Sequence, residues 1–246
     1  MKAQQEKRTI CVIPARYGST RLPGKLLISI KGLPLIMWTY NRAKESGAFD
    51  DVFVATDDAR IMDTVTQHGG NALMTSPEHT SGTDRVNEVA QKTAGDYIVN
   101  LQGDEPQIPI DILKDFAENL ITLDSLSLLT CVTYATIEEM HDANAVKAVL
   151  SAKGEALYFS RAPIPFGRDD ARYTGYKHIG IYGFTRESLA RFCTLEPGEL
   201  EKVEKLEQLR ALEHGMKIVC LKREYSGIGI DTEEDLESFR LSVEDI

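Results

Sequence analysis

The sequence predicts an α/β fold, a mostly parallel sheet with helices on both faces that carries a smaller lobe of mixed strands. Three observations predict it. Short β-branched runs alternate with helical segments through about residue 125. Strand-like segments then follow one another with little helix between them. The polar, glycine-bearing clusters stand directly after strands, where open parallel sheets place their ligands.

Each element has its own signal. "TICVIPA" is apolar and β-branched and reads as a buried strand. In "PLIMWTYNRAKESG", Ile36, Tyr40 and Ala43 fall at helical spacing, with Pro34 at the start and Gly47 as a stop. "DVFVATD" is a strand, "DARIMDTVTQHGG" a helix closed by glycines, and "NALMT" a brief strand. "SGTDRVNEVAQKTAG" opens on an N-cap candidate, Ser81 or Thr83, and runs helically to Gly95. "DYIVNLQ" is a strand and "PIDILKDFAENLI" a helix. There follow four strands, "LSLLTCVTYA", "AVKAVLSA", "ALYFSR" and "KHIGIYGF", and helices near 186–194 and 199–214. A strand "KIVCLKREY" and a helix from Thr232 complete the chain. The expected organisation is a single domain over residues 1–246: a core of about 8–125 and 215–241, with an inserted lobe at about 126–214.

Composition excludes several classes. No apolar run approaches the roughly 18 residues of a membrane span. "MKAQQEKRT" lacks the apolar segment of a signal peptide. The four cysteines, Cys11, Cys131, Cys193 and Cys220, are scattered and read as buried reduced thiols of a cytoplasmic protein. A net charge of −10 argues against nucleic-acid binding. Residues 1–25 nevertheless hold six cations against one acid, while 196–246 hold fourteen acids against seven cations. A basic loop in an acidic protein points to a small anionic ligand.

That loop is "ARYGSTRLPGK", residues 15–25. Five residues, not four, separate Gly18 from Gly24, and Leu26 follows Lys25 where a Walker loop has its Mg²⁺-binding hydroxyl. There is no GxGxxG after a strand, no GxSxG elbow and no zinc spacing among the histidines. What remains is a loop whose glycines admit an anion while Arg16, Arg21 and Lys25 supply charge. A unit pair at 4 Å is worth ~1 kcal/mol in bulk water and ~4 at an effective dielectric near 20, so such a loop gains most inside a cleft. "QGDEP" places Asp104 just beyond a buried strand, where a carboxylate needs a hydrogen-bond donor or a metal. Asp231, ahead of the N-cap candidate Thr232, reads either as a loop acid or as a second ligand.

Taken together, "IPARYGSTRLPGK", "VATDD", "SGTDR", "NLQGDEP", "NAVKAVL", "ALYFSRAPIP", "KHIGIYGF", "EKLEQLR" and "GIDTEEDLE" resemble the 3-deoxy-manno-octulosonate cytidylyltransferases, in family order from residue 10 to about 240. The resemblance implies a Rossmann-like nucleotidyltransferase sheet whose lobe serves sugar binding and dimerisation. It implies that CTP and an eight-carbon 3-deoxy keto-sugar acid give the CMP-sugar and pyrophosphate, with Mg²⁺ as cofactor and a homodimer as the working form. It assigns catalysis to Arg16, Lys25 and Asp104. Nucleotide binding falls to Ala15, Arg16, Ser19, Arg21, Lys25, Ser81, Thr83 and Arg85, with Gly82 in the same loop. The metal goes to Asp104 and Asp231, and the sugar to Gln102, Arg161, His178, Glu207 and Gln208. Tyr182 reads as a core aromatic.

Two departures bear on the sugar. Gly198-Glu199 replaces a Ser-Pro or Thr-Pro step, and Ser151 stands where Asp is usual. An added acid near the sugar-binding helix would suit a substrate with a terminal amine, the 8-amino-3,8-dideoxy analogue. The competing readings are a cytidylyltransferase for another sugar acid such as a sialic acid, a sugar-phosphate enzyme, and a non-catalytic nucleotide-binding regulator.

Overall fold

The computed structural model describes residues 7–18, 22–168, 175–227 and 229–243. It forms two compact units, Met1–Glu118 with Ser226–Ile246, and Asn119–Tyr225.

The first unit begins with β1 (Thr9–Ala15), buried almost throughout, as a strand covered on both faces must be. A hairpin of β2 (Ser29–Ile30) and β3 (Leu33–Pro34) follows, turning at Lys31 and Gly32, both with positive φ. The sequence reading missed it, because its strands are too short for any period. Then come α1 (Leu35–Glu45), β4 (Asp51–Thr56), α2 (Ala59–Gln67), β5 (Ala72–Met74), α3 (Gly82–Lys92), β6 (Tyr97–Leu101) and α4 (Ile110–Leu120). The strand order is β6-β1-β4-β5, every pair parallel. Ile61 and Val65 anchor α2, while Val86, Val89 and Ala90 anchor α3.

The second unit holds β7 (Leu128–Tyr134), α5 (Ile137–His141), β8 (Lys147–Leu150), β9 (Ala156–Ser160), β10 (Tyr176–Thr185), α6 (Arg186–Cys193), α7 (Glu199–Glu204), α8 (Gln208–Glu213) and β11 (Ile218–Lys222). β7 lies between antiparallel β10 and parallel β11, and β8 pairs antiparallel with both β10 and β9. β11 therefore belongs here, beside β7, so this unit extends past the expected lobe limit of 214. The helix expected over 199–214 is broken at Lys205, whose φ of 56° is left-handed. The last element, α9 (Glu233–Ser242), returns to the first unit behind a capping box of Thr232 and Asp235.

Cys11, Cys131 and Cys220 are buried, whereas Cys193 is only half-buried. Among the described residues no helix is long and apolar enough to cross a membrane.

Candidate active site

Because β1, β4 and β6 are parallel neighbours, their carboxyl ends share one edge of the first unit's sheet. The loop leaving β1 starts at buried Ala15 and exposed Arg16. It closes at Gly24, whose N–H donates to the Tyr17 carbonyl at 3.3 Å. Gly24 has φ 67°, and a Cβ there would meet the Tyr17 ring at 3.3 Å, so two constraints demand glycine. A 3-10 turn, Lys25–Leu27, then carries Lys25 inward, leaving it only 8% exposed. Ser19 and Arg21 lie outside the described residues.

Lys25 is where three distant segments meet. Its Nζ donates to Asp104 Oδ2 at 2.7 Å, to the Ile230 carbonyl at 2.6 Å and to Asp231 Oδ1 at 3.1 Å. The Ile230 N–H donates in turn to the Asp104 carbonyl at 2.9 Å, tying the two acid-bearing loops together by their backbones. Asp235 accepts from the backbone N–H groups of Asp231 and Thr232, at 2.9 and 2.8 Å, and so fixes Asp231 one residue ahead of the N-cap of α9. Gly103, before Asp104, packs so close to Ile36 that a Cβ would lie 3.1 Å from its Cδ1. Burial alone would lower the Lys25 ammonium, but the two carboxylates outweigh it and hold its pKa above the ordinary lysine value. One ammonium against two carboxylates leaves a net negative charge in a cluster of hard oxygen donors. That donor set suits Mg²⁺, which uses one or two carboxylates and takes its remaining ligands from water and phosphate.

The "SGTDR" segment divides into capping and bracing roles. Ser81 is the N-cap of α3, accepting from Asp84 N–H at 3.1 Å. Gly82 packs on Pro14 of β1, with room for a Cβ only at 3.4 Å. Thr83 is buried and accepts from Asn100 Nδ2 at 3.3 Å, and Asn100 accepts from Gln102 Nε2 at 3.2 Å. Arg85 is buried, pairs with Asp57 Oδ2 at 3.0 Å and donates to Thr75 Oγ1. It clamps the end of β4 to β5's exit. Asp57 thus belongs to the site's framework, a role the "VATDD" string carried without assigning.

The second unit contains the other four sugar candidates; Gln102 lies in the first. Arg161 is committed to backbone: its Nε donates to the Glu204 carbonyl at 3.0 Å and its guanidinium to the Ala143 carbonyl at 2.9 Å. His178 sits on β10 where the register with β7 shifts between Ile179 and Tyr182. In a regular strand, residues four apart stand ~13 Å apart, yet the shift brings the His178 and Tyr182 rings to 5.2 Å. Thr130 Oγ1 donates to the Ile181 carbonyl, which can only accept, at 2.8 Å. Its one proton so committed, Thr130 accepts from His178 Nε2 at 2.8 Å. Nε2 therefore carries hydrogen, and Nδ1 is the ring's acceptor. Burial pushes the His178 pKa down to about 3, so the ring is neutral.

Tyr182 is not the core aromatic expected from the sequence. It is half-buried beside His178, and burial together with the Glu207 carboxylate pushes its phenol well above the usual range. Alternation along β10 already sets it on the face of His178, opposite buried Ile179 and Ile181. Glu207 lies 4.0 Å from the Arg210 guanidinium, and Gln208 is buried at the start of α8.

The two departures have structural explanations. Glu213 accepts from the backbone N–H groups of Leu200 and Glu201, at 3.0 and 3.2 Å, and so caps α7 from α8. A Cβ at residue 198 would fall 2.1 Å from that carboxylate, which would have to shift to admit one. Glu199 is exposed and pairs with Lys202 at 3.1 Å. Ser151 Oγ closes a turn, accepting from Glu155 N–H at 3.2 Å.

The family model for cytidylyltransferases matches residues 10–218. A 3-deoxy-manno-octulosonate cytidylyltransferase of Thermodesulfovibrio yellowstonii is 48% identical, over 93% of this chain and 95% of its own. The enzyme of that name from Vibrio vulnificus is 47% identical, over 93% and 95%. Among solved structures, a CMP:2-keto-3-deoxy-manno-octonic acid synthetase complexed with CTP superposes with a TM-score of 0.92 at 38% identity, covering 98% of this chain and all of that one. A 4-diphosphocytidyl-2C-methyl-D-erythritol synthase from Anaerococcus prevotii, 14% identical with a TM-score of 0.63 over 97% and 99%, shares the fold.

Proposed function

Since the chain belongs to the cytidylyltransferases, in their 3-deoxy-manno-octulosonate branch, we propose that it joins CMP from CTP to 3-deoxy-manno-octulosonate and releases pyrophosphate. The observation that carries the chemistry is the meeting of Lys25, Asp104 and Asp231 at one point, from segments far apart in the chain. Arg16 and Lys25 bring positive charge to the edge where a triphosphate would lie. Ser19 and Arg21 act in the same loop, and Ser81, Thr83 and Arg85 hold the nucleotide side of the edge. Gly24 lets the backbone close around the anion.

Asp104 and Asp231 are the residues that would hold Mg²⁺. When bound there, the cation supplies charge compensation at the transferring phosphate and lowers the pKa of the attacking hydroxyl. The sugar's anomeric oxygen forms the new bond to the α-phosphorus as the bond to the bridging oxygen breaks, and pyrophosphate leaves in line. The hydroxyl proton passes to solvent. Lys25, within reach of both carboxylates, adds its charge at the same place.

For the sugar acid, the neutral His178 offers an acceptor and Tyr182 an un-ionised phenol, groups that match hydroxyls. Gln102, Arg161, Glu207 and Gln208 complete the set drawn from the family. The hydroxyl form of the sugar is favoured, because the relatives at 47–48% identity carry the name of 3-deoxy-manno-octulosonate. The working form is taken as a cytoplasmic homodimer. Sedimentation would test the dimer, which is drawn from the family.

Pyrophosphate release from CTP and Mg²⁺ with a panel of sugar acids tests the reading. Release should depend on 3-deoxy-manno-octulosonate, with a higher kcat/KM than for its 8-amino analogue. Preference for a sialic acid would change the sugar, and tight CTP binding without turnover would make the chain a regulator.

A further inference from the structure

The loop that carries Arg16 and Lys25 is braced by a residue outside it. Arg60, in the first turn of α2, lays its guanidinium carbon 3.3 Å from the centroid of the Tyr17 ring. In its own plane the same group pairs with Asp58, Nε to Oδ1 at 2.9 Å and Nη2 to Oδ2 at 2.6 Å. Asp58 also caps α2, accepting the Arg60 N–H at 2.9 Å. Tyr17 is also tied to Gly24: its carbonyl accepts the Gly24 N–H, and a Cβ at Gly24 would meet its ring at 3.3 Å. A continuous strap therefore runs from α2, anchored by Ile61 and Val65, through Asp58, Arg60 and Tyr17 to Gly24, next to Lys25.

We propose that Arg60 is a positioning residue for the nucleotide, acting through Tyr17 to fix the separation of Arg16 and Lys25. Only a planar, delocalised cation can pair edge-on with a carboxylate while its face covers an aromatic ring; an ammonium satisfies one contact or the other. The Arg60 side chain is 59% exposed. Such contacts add little to global stability, so their selectable effect is local. This inference rests on the proposal that the loop binds CTP.

Calorimetric titration of the full chain with CTP and Mg²⁺ tests it, alongside turnover at saturating CTP. Arg60→Ala and Arg60→Lys should each weaken CTP binding about three- to tenfold, the scale of one exposed stack and one ion pair. Their kcat should stay within about twofold, and so should the KM for the sugar acid. Tyr17→Leu should match them, and Tyr17→Phe, which keeps the ring, should restore wild-type affinity. The double variant Arg60→Ala/Tyr17→Leu should be no weaker than either single one, because both remove the same strap. Unchanged CTP affinity in Arg60→Ala, additive losses in the double variant, or an equal rise in KM for the sugar acid overturns the inference. Loss of turnover at saturating CTP also overturns it, by making Arg60 a catalytic group. Failure of the wild-type chain to bind CTP would instead overturn the proposed function beneath it.

Discussion

In the first unit, Lys25, Asp104 and Asp231 meet as three charges; in the second, His178, Thr130 and Tyr182 meet as uncharged rings and hydroxyls. The contrast follows from how each set is held. The carboxylates sit on loops beyond strand and helix ends, partly open to water, where charge is tolerated and a phosphate or cation can reach them. His178 and Tyr182 sit on a strand whose packing penalises charge, so both are kept neutral. Charge thus gathers where the proposed phosphate chemistry would use it. Neutral donors and acceptors gather where a polyhydroxylated sugar would be read.

The strongest way to break this division is to remove a charge from the first unit. Asp104→Ala should lower kcat about 10²- to 10³-fold, the usual loss when transition-state charge stabilisation is deleted. Its melting temperature should change little, because Asp104 is part-exposed. Near-wild-type pyrophosphate release with an intact fold would show that the charge cluster is only structural. Lys25→Ala should weaken CTP binding by about ten- to a hundredfold, as expected for charge-assisted hydrogen bonds, and leave sugar-acid affinity alone; calorimetry separates the two.

A third test addresses the neutral side. His178 has its pKa depressed from 6.5 to about 3. Its contribution to stability is therefore complete above pH 6.5 and is lost as the pH falls from 6.5 towards 3, where the unfolded chain binds the proton and the folded chain does not. A ¹H–¹⁵N spectrum should show the neutral Nε2–H form persisting to about pH 4, and titration near 6.5 would place a charge in the second unit. The smallest effect is expected from Gly198→Ala. Its methyl group would displace Glu213 from α7 and lower the melting temperature by about 2–4 °C, the equivalent of roughly 1 kcal/mol. An unchanged melting curve would mean that the cap contributes nothing.

Much of this was legible in the chain because it depends on residue type next to a strand end. The cations of "ARYGSTRLPGK", the acid of "QGDEP" and the Thr232 cap follow from local chemistry. Longer-range geometry was not legible. The short helix α5 passed unread although Thr136 and Glu139 form a full capping box, because its five residues show no period. Lys205 breaks a pattern that reads as one continuous helix. The nearness of Tyr182 to His178 comes from a bulge, and alternation of side chains carries no trace of one. Arg60 resembles any solvated arginine on a helix until its ring partner, far away in sequence, is known.

The Ile181 carbonyl has a reach beyond its own bond. Being unable to donate, it sets the orientation of the Thr130 hydroxyl, and Thr130 then dictates which nitrogen of His178 is protonated. A polarity is thereby handed along three groups, from main chain to imidazole. Replacing Thr130 by valine would silence the relay while keeping nearly the same volume. The imidazole would then be free to present either nitrogen, and the site would lose its sense of direction before it lost its shape.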